Sequence, residues 1–238
     1  MRKKLATLLP FLVLLASSVA SSAVTKLVVD VPTRPGVSER ILLVAPDAPA
    51  AHVIVLNGNE GVIGIRDDGS TSTIDISHFI DLYVADGISF TTVDPPSDRT
   101  MLDANFRRSA DHATDLLTII GYLQQRAPVP VWIIGLGTAN ISAASVASKL
   151  PPDFPLGLVF GNPHTAGVAF LAPSELSSIY RPTLVINHSQ DACPCCPPSN
   201  VPRSVPVRAR RHALPMRRPG LRRRMSAPEI SGRLLRVR

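Results

Sequence analysis

The stretch Val131-Trp132-Ile133-Ile134-Gly135-Leu136-Gly137-Thr138-Ala139-Asn140-Ile141-Ser142-Ala143-Ala144 constrains the fold more than any other part of the chain. An apolar, β-branched run breaks at glycine and resumes as small residues with helix-forming character. That order spells strand, sharp turn, helix. A strand apolar on successive residues is one buried on both faces, as in a parallel sheet covered by helices.

The flanking segments repeat the theme. Lys26–Val31, Arg40–Ala45, His52–Leu56, Ile88–Val93, Leu156–Phe160 and Pro182–Asn187 read as strands. Ile76, Phe79, Ile80 and Val84 recur at helical spacing up to Asp86-Gly87. Asn105–Arg126 reads as one long helix with an apolar stripe of Phe106, Ala110, Ala113, Leu117, Ile120 and Leu123, and another helix is expected from about Ile141 to Lys149. The chain has 238 residues, 45% hydrophobic and 18% charged, which suffices for one domain with a sizeable core. The expected architecture is α/β, a mostly parallel sheet flanked by helices. In such sheets chemistry gathers at the carboxyl ends of the strands. The loops there are Asn57–Gly61, Asp94–Asp98, Gly135–Asn140 and His188–Asp191.

The ends of the chain differ from its body. Arg2, Lys3 and Lys4 precede an apolar run from Leu5 to Ala16, and Ser18-Val19-Ala20 or Ser21-Ser22-Ala23 supplies a small-residue cleavage site. Residues 1–23 thus read as a secretory signal, with an uncleaved anchor as the alternative, and the expected location is secreted or periplasmic. The domain proper is read as 24–200. The formal net charge of +7 misleads, because residues 201–238 hold 12 arginines, no lysine and one acid, Glu229. The first 200 residues carry a formal charge of −4, which argues against nucleic acid as a partner of the body. Cys193-Pro194-Cys195-Cys196 lacks the C-x₂₋₄-C pairs with a distant second pair that zinc sites use, so no metal is expected.

Taken in order, several short motifs carry a resemblance. They are the glycine-containing loop Gly58–Gly61; Asp94, Pro96, Ser97 and Asp98; and Phe106, Arg107, Ser109, Ala110, His112, Ala113 and Asp115. Pro130-Val131-Trp132, Ile141-Ser142-Ala143-Ala144, and His188, Asp191 and Cys193 follow. From about His52 to Pro198 the chain resembles a bacterial secreted α/β-hydrolase family of serine esterases and acyl hydrolases. That resemblance implies a small-molecule ester or acyl substrate, no cofactor, and a nucleophile in a G-x-S-x-G turn. Here the turn reads Gly135-Leu136-Gly137-Thr138-Ala139, so Gly137 occupies the serine's place. Asp191 resembles the acid of the triad. The backbone amide of Thr138, with Gly58 and Asn59, resembles the oxyanion donors. Cys193 resembles half of a disulfide whose partner lies further downstream, and no cysteine follows Cys196, so Cys193 is expected to be unpaired.

The catalytic histidine should follow Asp191, and only His212 does. Thr138 and Ser142 are the alternative nucleophiles. His112 and His188 read as structural, Asp94 and Asp98 as loop caps, and Leu136 as a packing residue. The expectation is a hydrolase fold with impaired catalysis, in which serine at 137 alone does not restore activity if the histidine is missing. The alternatives are a non-catalytic module binding a small molecule or an anionic envelope polymer or lipid, and an active hydrolase with an unrecognised nucleophile. An arginine- and proline-rich tail without lysine matches GC-rich codons read out of frame. A frameshift near codons 194–200 would remove the last strand and helix, leave the tail disordered, and leave the sheet with an apolar edge. The oligomeric state is left open.

Overall fold

The computed structural model describes residues 23–73, 76–167, 169–187 and 193–196. Residues 1–22, where the signal is expected, the tail 201–238, His188, Asp191 and His212 lie outside the described residues. Strands β1 (Val24–Arg34) and β2 (Val37–Pro46) form a hairpin closed at Pro35-Gly36. Gly36 has φ +73°, a left-handed conformation that glycine adopts without penalty. Next come β3 (Ala51–Leu56), α1 (Ser77–Ala85) and β4 (Ile88–Pro96). Helices α2 (Ala104–Arg108) and α3 (Ala110–Arg126) lead to β5 (Val131–Leu136). A 3-10 turn at Gly137–Ala139 then opens α4 (Asn140–Ala147), and β6 (Leu156–Gly161), α5 (Pro173–Ser177) and β7 (Thr183–Ile186) complete the order.

The seven strands make one sheet in the order β1-β2-β4-β3-β5-β6-β7. β2 pairs antiparallel with β1 and β4, and every other pairing is parallel. All seven expected strands are present. Alternate residues of one strand feed two apolar layers, as the two-residue period of a strand requires. Ile41 and Leu43 of β2 enter the larger layer with α3 and α4. Leu42 and Val44 enter the smaller one, with Phe90, Ile63, Ile65 and Ile76 and the partly buried Ile80, Tyr83 and Val84 of α1. Ile41, Leu42 and Ile54 are each 0% exposed, and each such side chain contributes about 2 kcal/mol by leaving water. Among the described residues β7 is the terminal strand, and its Ile186 is exposed. Among the described residues no helix is long and apolar enough to cross a membrane.

One expectation changes. The long helix is two, because Ser109 is extended (φ −66°, ψ 159°) and its hydroxyl accepts the amide of His112 as the cap of α3. Asp103 caps α2 in the same way, accepting the amides of Asn105 and Phe106. The non-helical residue rotates the second segment relative to the first. The buried face of α3 is therefore His112, Ala113, Asp115, Leu116, Ile119, Ile120 and Leu123, while Ala110 is exposed and Leu117 only half-buried.

The polar members of that face have partners. Arg34 of β1 donates to both carboxylate oxygens of Asp115, at 2.8 and 3.1 Å, and forks onto Asp98 at 3.1 and 3.2 Å. Beside them Glu39 of β2 is fully buried, and neither carboxylate oxygen has a hydrogen-bond partner. Burial, then the charge of Asp115, pushes its pKa well above the ordinary value; Arg34 opposes this and Asp94 adds to it. Glu39 is thus held protonated while the unfolded chain ionises above about pH 4.5. Each pH unit above that removes about 1.4 kcal/mol of stability until the folded group titrates. Glu39→Gln should flatten this fall. Urea midpoints measured from about pH 4 to about pH 7 should shift progressively in the variant's favour; parallel curves would refute the protonated state.

Candidate functional site

The turn after β5 is built by close approach. A Cβ on Gly135 would stand 2.8 Å from the backbone N and Cα of Asn140 and 2.9 Å from the carbonyl of Ala139. Only glycine lets strand and helix meet there. Gly137 follows with φ +55°, a conformation that costs an L side chain about 1–2 kcal/mol. Ala139 is buried with φ −68°, so alanine fits where a second elbow glycine would stand. Asn140 locks the turn, its amide donating to the carbonyls of Gly137 (2.7 Å) and Gly161 (3.1 Å).

The loop after β3 lies against this turn. A Cβ on Gly58 would meet the Leu136 carbonyl at 2.5 Å and the amide nitrogen of Thr138 at 3.5 Å. Asn59 is left-handed (φ +48°), and its carbonyl accepts the Thr138 hydroxyl at 3.4 Å. Gly58, Asn59, Gly137 and Thr138 therefore share one corner at the carboxyl ends of β3 and β5.

Arg107 pins that corner from below. It is 1% exposed. One guanidinium nitrogen donates to the carbonyls of both Asn57 and Asn59 at 3.1 Å, and the other to the Ser142 hydroxyl at 3.0 Å. Burial draws its pKa down to about 10, with Asp103 opposing. Ser142 also bonds His112 Nε2 at 2.8 Å. Burial, then the positive Arg107 and Arg34, lowers the His112 pKa to about 3, so this imidazole is neutral. The serine–histidine pair is a support rather than a reacting centre, since Ser142 is 0% exposed. This removes Ser142 from the candidate nucleophiles. Asp94 accepts the amides of Ile63, Gly64 and Ile65, each at 2.7 Å, and so holds the next loop. Leu136 lies over Gly161, is 39% exposed and lines an apolar groove of about 380 Å³ with Val55, Phe90, Ile134, Leu184 and Ile186.

A histidine that sequence reasoning missed completes the corner. His164 Nε2 lies 3.6 Å from the Cβ position that Gly137 lacks. Leu136 of β5 is in register with Gly161 of β6, so the loops leaving the two strands emerge side by side. The expected histidine after Asp191 is not needed to place an imidazole beside position 137. The segment Gly161-Asn162-Pro163-His164, leaving a strand at its carboxyl end, was the available signal. Cys193 is also not unpaired. It forms a disulfide with Cys195, because the turn around Pro194 brings the two Cα atoms to 5.3 Å. Of the expected site residues, Gly58, Asn59, Gly137 and Thr138 meet here, while Asp191 lies outside the described residues.

No family model and no curated protein matches the chain. Solved structures do. A cold-adapted esterase from an Arctic intertidal metagenomic library superposes with a TM-score of 0.54 at 15% identity, covering 78% of this chain and 80% of its own. A Pyrococcus furiosus esterase gives 0.56 at 13% identity, covering 77% and 80%. A dienelactone hydrolase from Anabaena variabilis gives 0.55 at 15% identity, covering 77% and 82%. With its mixed, mostly parallel sheet, its flanking helices and its glycine turn after β5, this chain has the fold of the α/β-hydrolase esterases.

Proposed function

We propose that the chain is a relative of the serine ester and acyl hydrolases that has lost covalent catalysis. The observation carrying this reading is Gly137. It stands in the left-handed turn between β5 and α4, with an imidazole facing the place of the absent side chain. The fold's chemistry needs a nucleophile at that point, a base beside it and donors for the oxyanion. Base and donors have candidates in His164, the Thr138 amide and the loop holding Gly58 and Asn59; the nucleophile does not. Asp191 is proposed as the remnant of the triad acid. Thr138 does not substitute, because its hydroxyl is turned to the Asn59 carbonyl. The apolar groove beside Leu136 and Asn57 supports a second role, retention of a small acyl or ester ligand without turnover. Residues 1–23 are proposed to direct the chain out of the cytoplasm.

Short-chain nitrophenyl esters test the reading. The full chain should release nitrophenol at no more than the buffer rate. Turnover that saturates with substrate and disappears in Asp191→Ala would overturn it.

A further inference from the structure

We propose that the turn Cys193–Cys196 and His164 form a thiol-gated site for a soft divalent cation of the zinc class. His164 Nε2 and the sulfurs of Cys195 and Cys196 lie within 4.8 Å of one another. Cys195 Sγ is 3.6 Å from His164 Nε2 and 3.6 Å from Cys196 Sγ. Around a tetrahedral zinc, bonds of about 2.3 Å to sulfur and about 2.0 Å to nitrogen place two sulfurs about 3.8 Å apart, and sulfur and nitrogen about 3.5 Å apart. Both separations are close to this spacing while the Cys193–Cys195 disulfide is still closed.

The site is braced as well as assembled. The Cys195 carbonyl accepts the amides of Thr165 (2.8 Å) and Ala166 (3.3 Å), one and two residues beyond the histidine. The Cys196 thiol donates to the Asn162 carbonyl at 3.4 Å, and the Cys196 amide closes the turn on Cys193 at 3.0 Å. Asn187 at the end of β7 donates to the Cys196 carbonyl at 3.4 Å. The two cysteine ligands and the histidine thus sit on loops that bond to each other. Cys196 is 4% exposed, which shields a bound ion from competing water.

The disulfide supplies the gate. While Cys193 and Cys195 are joined, Cys195 has no thiolate to offer. A dithiol reductant breaks that bond: two electrons and two protons pass to the protein, giving two thiols, and the reductant closes into its own cyclic disulfide. Metal binding then releases the thiol protons of Cys195 and Cys196 to solvent. A disulfide oxidant reverses this: the Cys193 thiol and the Cys195 thiolate give up two electrons and one proton, the oxidant's disulfide opens to two thiols, the ion leaves, and the Cys193–Cys195 bond re-forms. The three protein donors leave a fourth position for water. The spacing rule applied to the sequence misses this site because its nitrogen ligand comes from another loop, 31 residues earlier.

Zinc binding to the full-length chain is the test, followed by competition with a chromophoric chelator, and with cobalt(II) as a spectroscopic probe. Dithiothreitol-reduced protein should take up one equivalent and show sulfur-to-cobalt charge-transfer absorption. The oxidised protein should show neither. His164→Ala and Cys196→Ser should each weaken zinc binding by about tenfold or more. Cys193→Ser cannot close the gate, so under nitrogen without dithiol it should bind like the reduced parent. Failure of the reduced parent to bind, unchanged affinity in His164→Ala, or no binding by Cys193→Ser would each overturn the proposal. The readout is metal occupancy, so its outcome is separate from that of the ester assay.

Discussion

Gly137→Ser is expected to convert the chain into a slow esterase that depends on His164. The geometry sets this expectation. A serine Oγ lies about 1.4 Å from its Cβ, and a Cβ 3.6 Å from His164 Nε2 leaves room for an O–H···N bond of about 2.8 Å with a near-tetrahedral angle at oxygen. The Thr138 amide already follows the new nucleophile, and the Gly58 loop lies against it. The φ of +55° charges the variant about 1–2 kcal/mol of stability, which a folded domain of this size tolerates. A positioned base contributes about 10²–10⁴ in rate, so turnover of a nitrophenyl ester should rise at least about 10²-fold over the parent. It should stay roughly 10⁴-fold below a full triad if no acid orients His164. Gly137→Ala carries the same backbone strain without a hydroxyl and should gain nothing. Adding His164→Ala to Gly137→Ser should return the rate to that of Gly137→Ala. The assay is run on oxidised protein with a chelator present, so that no ion occupies the imidazole. Equal rates for the serine and alanine variants would sink the idea that the corner retains a working base.

How much of this was legible in the chain follows from the range of the interactions. The strands are written locally, because burial on both faces demands unbroken apolar runs such as His52–Leu56 and Val131–Ile134. The glycine turn is legible for the same reason: Gly135 answers to backbone clashes within five residues, and Gly137 to its own left-handed φ. The break at Ser109 was open to reading as an N-cap, but the apolar pattern continues across it, and periodicity alone joined the two helices. His164 was not legible. The sequence places it only just past a strand end; its meeting with Gly137 depends on the parallel register of β5 and β6, which is long-range. The burial of His112, Asp115 and Glu39 is of the same kind. Each is a polar residue whose setting is supplied by a distant element, Ser142 of α4 and Arg34 of β1 for the first two, and the packed sheet for the third.

Arg107→Ala is expected to be the most damaging single substitution for the fold around the corner. The guanidinium reaches the loop after β3 through two carbonyls and α4 through Ser142, so its loss unties two elements at once. Each buried acceptor left without a donor costs about 1–3 kcal/mol. The Asn57 carbonyl and the buried Ser142 hydroxyl lose that donor, so urea unfolding should show a loss of about 2 kcal/mol or more. Arg107→Lys keeps the charge but replaces a planar fork with a point donor, so it should recover only part of that loss. A second readout separates a specific tie from general damage. The Arg107 charge helps to hold the His112 pKa near 3, so the lysine variant should leave that pKa low, whereas Arg107→Met should let it rise in an NMR titration. His112 is neutral when folded and titrates near 6.5 when unfolded. Its contribution to stability is thus present above about pH 6.5 and is lost as the pH falls towards about 3. Arg107→Met should soften that acid loss even as it lowers stability at neutral pH. In the Gly137→Ser background, Arg107→Lys should lower kcat more than it raises KM, because Arg107 touches neither substrate nor nucleophile and acts only by setting where the Asn57–Asn59 backbone stands relative to Thr138. A purely structural arginine would lower both variants' melting points and leave the His112 titration and the kcat-to-KM balance unmoved.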